Sequence, residues 1–190
     1  LYPAFLDTCV LLKPYVCDTL LTIAESGLFR PLWSRGVLDE LARNLIKRGL
    51  SDTQVSHRIE QMTRHFPDAN VAGYEHLVVA MENHPKDRHI LAAAVRGAAA
   101  SLVTENLKEF PRTCWTATAS RLCTKTSSSK INSILAPRLV SAALQRQVSR
   151  HRKHPRSVDE LLDILGNEGN GCPGFAAEAR RVSTVRAWRS

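Results

Sequence analysis

Over the first hundred or so residues, short apolar runs alternate with longer stretches of helical periodicity, and that alternation most restricts the fold. Ala4–Thr8 reads as a short buried strand behind Pro3. Leu11–Ser26 reads as helix, interrupted at Pro14 and ended by Gly27. Leu28–Trp33 is a second strand. Ser34 then caps a helix carrying Val37, Leu38, Leu41, Leu45 and Ile46, apolar at helical spacing and closed by Gly49. Ser51 and Gln54 stand at capping-box spacing, ahead of a helix with Val55, Ile59, Met62 and Phe66 on one face. Leu77–Met81 is expected to be a third strand, Asp87–Arg96 a helix closed by Gly97, and Ser101–Thr104 a fourth strand. Strands separated by helices predict an α/β fold with a parallel sheet. Ligands of such sheets gather at the carboxyl ends of the strands.

Acidic residues fall at those ends. Asp7 follows the apolar run Ala4-Phe5-Leu6, Glu40 lies about one turn into its helix, Asp87 opens a helix, and Glu109 lies just past the run Ser101-Leu102-Val103-Thr104. A carboxylate beside a core is costly unless a positive group compensates it, and a divalent cation is one such group. Read singly, each has an ordinary alternative: a structural cap for Asp7 and Asp87, a solvated surface for Glu40 and Glu109.

After about residue 111 the chain changes character. Residues 1–111 hold 12 Lys+Arg against 13 Asp+Glu, a balance of −1, whereas residues 112–190 hold 14 against 5, a balance of +9, which gives the net +8. A near-neutral, acid-bearing body with a basic tail suits a polyanionic partner; a tail kept for solubility, or one docking on an acidic protein, is the alternative. Ile134–Arg150 reads as an amphipathic helix with Leu139, Val140, Ala143, Leu144 and Val148. Ser157 and Glu160 start a short helix with Leu161, Leu162, Ile164 and Leu165. Gly166–Gly174 reads as a loop and Phe175–Trp188 as a last helix. The expected division is an α/β domain over 1–130 and a basic helical extension over 131–190. The five cysteines (Cys9, Cys17, Cys114, Cys123, Cys172) show no paired spacing, so neither a zinc site nor a disulfide framework is expected. With no apolar run long enough to span a bilayer and no signal-peptide pattern, a soluble cytoplasmic protein without membrane partners is expected.

Four segments in order strongly resemble the PIN-domain family. They are Leu6-Asp7-Thr8, Leu38-Asp39-Glu40-Leu41, Pro85-Lys86-Asp87-Arg88-His89 with the alanines that follow, and Val103-Thr104-Glu105-Asn106-Leu107-Lys108-Glu109-Phe110-Pro111. The chain looks like the VapC-type ribonuclease toxins of toxin–antitoxin pairs over about residues 2–111. Its tail resembles a helical extension found in one branch of them. The resemblance implies a three-layer α/β sandwich with a central parallel sheet, plus a small helical appendage. It also implies an endoribonuclease in which acids hold Mg²⁺ or Mn²⁺. Asp7, Glu40 and Asp87 match the first three acids. Many members carry Asp where this chain has Asn106; the nearer branch has Asn there and an acid three residues on. Glu109 therefore becomes the fourth metal ligand, with Asn106 and Thr104 as orienting groups. RNA is the implied substrate, a cognate antitoxin the implied partner, and a homodimer the assembly often seen. Hard oxygen ligands suit these ions, and no Ser, His or Cys nucleophile is required. Arg35, Arg88 and Lys108 are candidates for phosphate contacts, and His89 is expected to be structural.

Residues 113–130 depart from the family. From Thr113 to Ser120 the sequence has little strand alternation. A DNA coding for it, read one base earlier, can give Asp-Val-Leu-Asp-Arg-Tyr-Gly-Ile, which is family-like. Two compensating indels are the hypothesis for this stretch, and the alternative function is a degraded, noncatalytic PIN protein that binds RNA or its antitoxin. A third reading is an interaction domain whose basic tail docks an acidic partner.

Overall fold

The computed structural model describes residues 1–110, 122–123, 137–169 and 171–186. Apart from its residues 122–123, the atypical stretch 113–130 lies outside them. Five strands, β1 (Tyr2–Leu6), β2 (Phe29–Ser34), β3 (Asn70–Val71), β4 (Ser101–Val103) and β5 (Leu122–Cys123), form one sheet in the order β3-β2-β1-β4-β5. β1 runs parallel to β4, with Ala4, Phe5 and Leu6 opposite Ser101, Leu102 and Val103. β2 runs parallel to β3. The expected parallel sheet with flanking helices is present; three of its strands are those read from sequence, and the two-residue strands β3 and β5 are not.

The chain divides into two compact units, Tyr2–Leu12 with Arg30–Leu122, and Leu1 and Lys13–Phe29 with Cys123–Ser190. The first holds α1 (Thr8–Leu11), α3 (Arg35–Lys47), α4 (Asp52–His65) and α5 (Arg88–Arg96). Ser34 caps α3 by accepting from the Val37 amide at 3.3 Å. α4 begins with the full Ser51/Gln54 capping box. Phe5, Leu6, Leu32, Trp33, Leu41, Leu91 and Leu102 are each at most 2% exposed, which fixes the core on this sheet. Each such side chain contributes roughly 1.5–3 kcal/mol by burial. Phe66 ends α4 and meets Trp33 edge-on at 6.0 Å.

The inner face of α5 includes small residues. Ala92, Ala93 and Ala94 are fully buried. At Gly97, which follows α5, a Cβ would come within 2.8 Å of Val71 Cγ2 and 3.2 Å of Leu32 Cδ1. The constraint there is space.

One expected strand is corrected. Leu77–Met81 is not a strand; Glu75–Ala80 forms tight helical turns and the third strand is Asn70–Val71. The Leu77 amide donates back to the Tyr74 carbonyl at 2.9 Å, and Val79 is 85% exposed. A short apolar run carries no period that separates a strand from a turn, and this one has no buried residue to anchor it. Leu11–Ser26 also divides: α1 ends at Leu11 and α2 (Pro14–Glu25) begins at Pro14, where the missing amide of proline is harmless.

The second unit packs α2 with α6 (Pro137–Arg150), α7 (Val158–Gly166) and α8 (Pro173–Arg186). Val140, Ala143 and Leu144 form the buried stripe of α6, and Leu161, Leu162 and Leu165 that of α7. Leu139, expected inside, is 44% exposed, and the fully buried position one turn after Ala143 is Gln147. Its amide is satisfied within the unit: Thr19 Oγ1 donates to Oε1 at 2.8 Å, and Nε2 donates to the Tyr15 carbonyl at 3.5 Å. Arg150 pairs with Glu25 at 2.6 Å. Among the described residues no helix is long and apolar enough to cross a membrane.

Candidate active site

The register of β1 and β4 builds the site. Leu6 lies opposite Val103, so the next residues, Asp7 and Thr104, come side by side at the carboxyl ends of the two strands. The Asp7 amide donates to the Val103 carbonyl at 3.1 Å, and Thr104 Oγ1 donates to Asp7 Oδ2 at 2.6 Å. Both are buried, Asp7 at 5% exposure and Thr104 at 1%. Cys9 Sγ adds a second donor to the same Oδ2 at 3.1 Å. In turn the Asn106 amide donates to Thr104 Oγ1 at 3.1 Å, and the Glu105 amide to Cys9 Sγ at 3.2 Å. These bonds fix Asp7, yet burial still pushes its carboxyl above the usual range, and the charge of Glu40 adds to the rise. Burial first, then the Asp7 charge, pushes the Cys9 thiol up to about 12, so at neutral pH it is a donor to Asp7 and not a nucleophile.

Glu40 comes from α3. It lies one turn after the buried Val37 and beside Leu41, which places it at the margin of the helix's inner stripe, half-buried. Thr8 Oγ1 donates to Glu40 Oε2 at 3.1 Å. Asp87 stands before the first residue of α5 but makes no side-chain capping bond, and Asp7 stands in the same relation to α1. Neither carboxylate serves its own helix, which removes the cap reading. Burial raises the pKa of Asp87, and the charges of Asp7, Glu109 and Glu40 raise it further, against a smaller lowering by Lys86. Glu109 follows β4 in the single turn Leu107–Glu109. Its Oε2 lies 3.8 Å from His84 Nδ1. The ligand atoms of His84, Asp87 and Glu109 all lie within 4.8 Å of one another.

The four acids named from sequence are therefore close enough to repel one another. Thr104 is bound to one of them. Asn106 reaches the site through its backbone amide and is itself exposed. Three further residues, Thr8, Cys9 and His84, join the site without having been read from sequence. The first two are visible only as neighbours of Asp7. His84 carries a faint signal, a histidine three residues before an acid and followed by proline. Of the proposed phosphate contacts, Arg35 is paired with Asp39 at 2.8 Å and Arg88 donates to the Asn83 carbonyl at 3.2 Å, while Lys108 is exposed.

Asp7 and Asp87, whose pKa values are raised, together with Glu40 and Glu109 form a hard-oxygen donor set of the kind a small dication fits. The family profile for the PIN domain matches residues 3–108. The chain belongs to the PIN-domain family. That PIN match contains Asp7, Glu40 and Asp87 and stops one residue short of Glu109. A second profile, the VapC50 C-terminal domain, matches residues 134–181. The PIN-containing chain is 37% identical over 110 residues to the protein named "Putative ribonuclease VapC50" from Mycobacterium tuberculosis. That likeness covers 58% of this chain and 63% of the relative. No solved structure matches the chain.

Proposed function

We propose that the protein is a metal-dependent endoribonuclease that hydrolyses RNA phosphodiester bonds, and that it is the toxin of a toxin–antitoxin pair. The observation that carries this reading is the meeting of Asp7, Glu40, Asp87 and Glu109 beside the carboxyl ends of β1 and β4: after burial, the charge of Glu40 raises the pKa of Asp7, and the charges of Asp7, Glu109 and Glu40 raise that of Asp87. Asp7, Glu40, Asp87 and Glu109 would hold Mg²⁺ or Mn²⁺. Such an ion, when bound, supplies Lewis acidity, lowers the pKa of a water and offsets charge on the phosphoryl group. The side chains do the rest. Thr104 and Cys9 hold Asp7 with one oxygen committed to hydrogen bonds, and Thr8 holds Glu40 in the same way. Asp87 at the start of α5 gains from the positive end of the helix. Lys108, exposed beside Glu109, is placed to meet a phosphate, and the basic extension over 131–190 adds attraction for a polyanion. A cognate antitoxin is the partner proposed to suppress cleavage, a homodimer the assembly and the cytoplasm the location. The relative's name and the extension match support this reading.

The test incubates the purified chain with cellular RNA and Mn²⁺ or Mg²⁺, then with EDTA, beside Asp7→Asn. Discrete cleavage that needs the ion and is lost in the variant is expected. No cleavage by a folded chain would favour the noncatalytic binder instead; for that reading the two profile matches leave 109–133 between them. Cleavage retained by Asp7→Asn would refute this site.

A further inference from the structure

We infer that His84 is a nitrogen ligand of the metal site, which makes it a mixed nitrogen–oxygen site that takes Mn²⁺ in preference to Mg²⁺. The inference rests on the proposed metal-dependent function and concerns which ion the site selects.

Local geometry sets the histidine in place. Pro85 restricts the preceding residue to extended backbone, and His84 has φ −51° and ψ 131°. The chain then turns through Pro85–Asp87, closed by the Asp87 amide donating to the His84 carbonyl at 2.9 Å. A turn of this kind brings side chains three apart to the same side, so the imidazole and the Asp87 carboxylate face one another. Glu109 arrives from a different segment, after β4, and completes the group within 4.8 Å. Three donors that share an ion at about 2.1 Å each stand roughly 3.0–3.6 Å from one another, so the side chains need to close by up to about 1–2 Å. His84 is more than half exposed and free to make that movement.

His84 Nδ1 accepts only a long bond from the exposed Lys86 amide at 3.4 Å, which it would give up to an ion, and it is also the atom 3.8 Å from Glu109 Oε2. Imidazole suits transition-metal dications, Zn²⁺, Fe²⁺, Ni²⁺ and Cu²⁺ above all; Mn²⁺ is the weakest of that series and largely an oxygen-donor ion, but Mg²⁺ demands oxygen donors more strictly and gives up water more reluctantly. A site built only from Asp7, Glu40, Asp87 and Glu109 would discriminate weakly between the two ions. Adding His84 tilts it to Mn²⁺ without adding another negative charge to a crowded cluster.

The experiment uses the full chain and Mn²⁺ as probe, with Mg²⁺ as competitor, and reads ion binding without RNA. Bound Mn²⁺ is followed by electron paramagnetic resonance, including nitrogen hyperfine coupling from a directly bound imidazole. Wild type is expected to show that coupling. His84→Ala is expected to lose it, to bind Mn²⁺ about 10-fold more weakly or worse, and to shift Mg²⁺ affinity far less. His84→Asp, which returns an oxygen donor, is expected to lower the Mn²⁺:Mg²⁺ preference while keeping ion binding. Mn²⁺ bound without nitrogen coupling, or an unchanged preference in both variants, would overturn the assignment and leave the nuclease reading standing. Wild type binding neither ion better than Asp7→Asn would overturn both.

Discussion

Replacing Thr104 with valine removes one hydroxyl that donates to Asp7 Oδ2 at 2.6 Å, accepts from the Asn106 amide at 3.1 Å and lies 3.5 Å from Cys9 Sγ. Asn106 is exposed, so its amide can turn to water at little cost. Asp7 has no such exchange at 5% exposure. A hydrogen bond to a charged group is worth roughly 1.5–3 kcal/mol, and valine fills nearly the same volume. The expected loss is therefore about 2 kcal/mol, a fall in Tm of roughly 4–8 °C for a chain of this size. Thr104→Ser keeps the hydroxyl and loses one buried methyl group, about 1 kcal/mol. The two deficits differ in pH dependence as well as size. The Thr104 bond favours ionised Asp7, so the valine deficit is full where Asp7 is charged and shrinks as pH falls through its raised pKa. The serine deficit is a packing loss and stays level. Thermal unfolding in EDTA across this pH range separates them. A valine deficit that does not change with pH, or that is no larger than that of serine, would show that the hydroxyl does not hold the carboxylate.

Other outcomes follow from the same contacts. In the folded chain Asp7 keeps its proton above 3.8, the value it has when unfolded, so over that interval the unfolded state binds fewer protons and stability falls as pH rises. Metal-free Asp7→Asn should gain stability over wild type as pH rises from about 4 to neutral, and saturating Mn²⁺ should reverse the order; a flat difference in EDTA would contradict this. Gly97→Ala should cost about 1–3 kcal/mol in urea unfolding, because its methyl meets Val71 and Leu32; an unchanged midpoint would mean that α5 can move away. Thr19→Val should cost about 1–3 kcal/mol by leaving buried Gln147 Oε1 without its donor, and adding Gln147→Leu should recover much of it. Additive losses in that double variant would refute the pairing.

The parallel sheet and the placement of Asp7 were legible because period and chemistry agreed: an apolar run that ends in an acid has few neutral explanations. The capping box at Ser51 and the Ser157 cap at the start of α7 were legible because their partners are three residues away, although the Glu160 side chain reaches the Arg156 amide and so leaves the second box incomplete. Contacts made across the fold were not. Thr8 meets Glu40 across 32 residues, and Cys9 and Thr104 are 95 apart. Nothing local marks such a pair. The reading of Leu77–Met81 as strand failed for a related reason, since a run of apolar residues records hydrophobicity and not whether a sheet edge is there to receive it. Gln147 misled in the opposite sense. A polar residue on a helix reads as outward-facing unless the hydroxyl that satisfies it is known, and Thr19 is 128 residues away.

That separation has a bearing on how the chain is made. α2 belongs to a compact unit whose other helices begin at Pro137, so its inner face, with Val16, Thr19 and Ile23, has no partner while the intervening chain is still being synthesised. At about 5–20 residues per second the interval is roughly 6–25 s. Throughout that time the nascent protein carries an amphipathic helix early in its sequence with one side uncovered, while β2, β3 and β4 emerge after it. A ribosome that stalls before α6 would leave a product with that helix permanently open, a natural handle for chaperones and proteases. Synthesis of α6 is thus the event that covers α2.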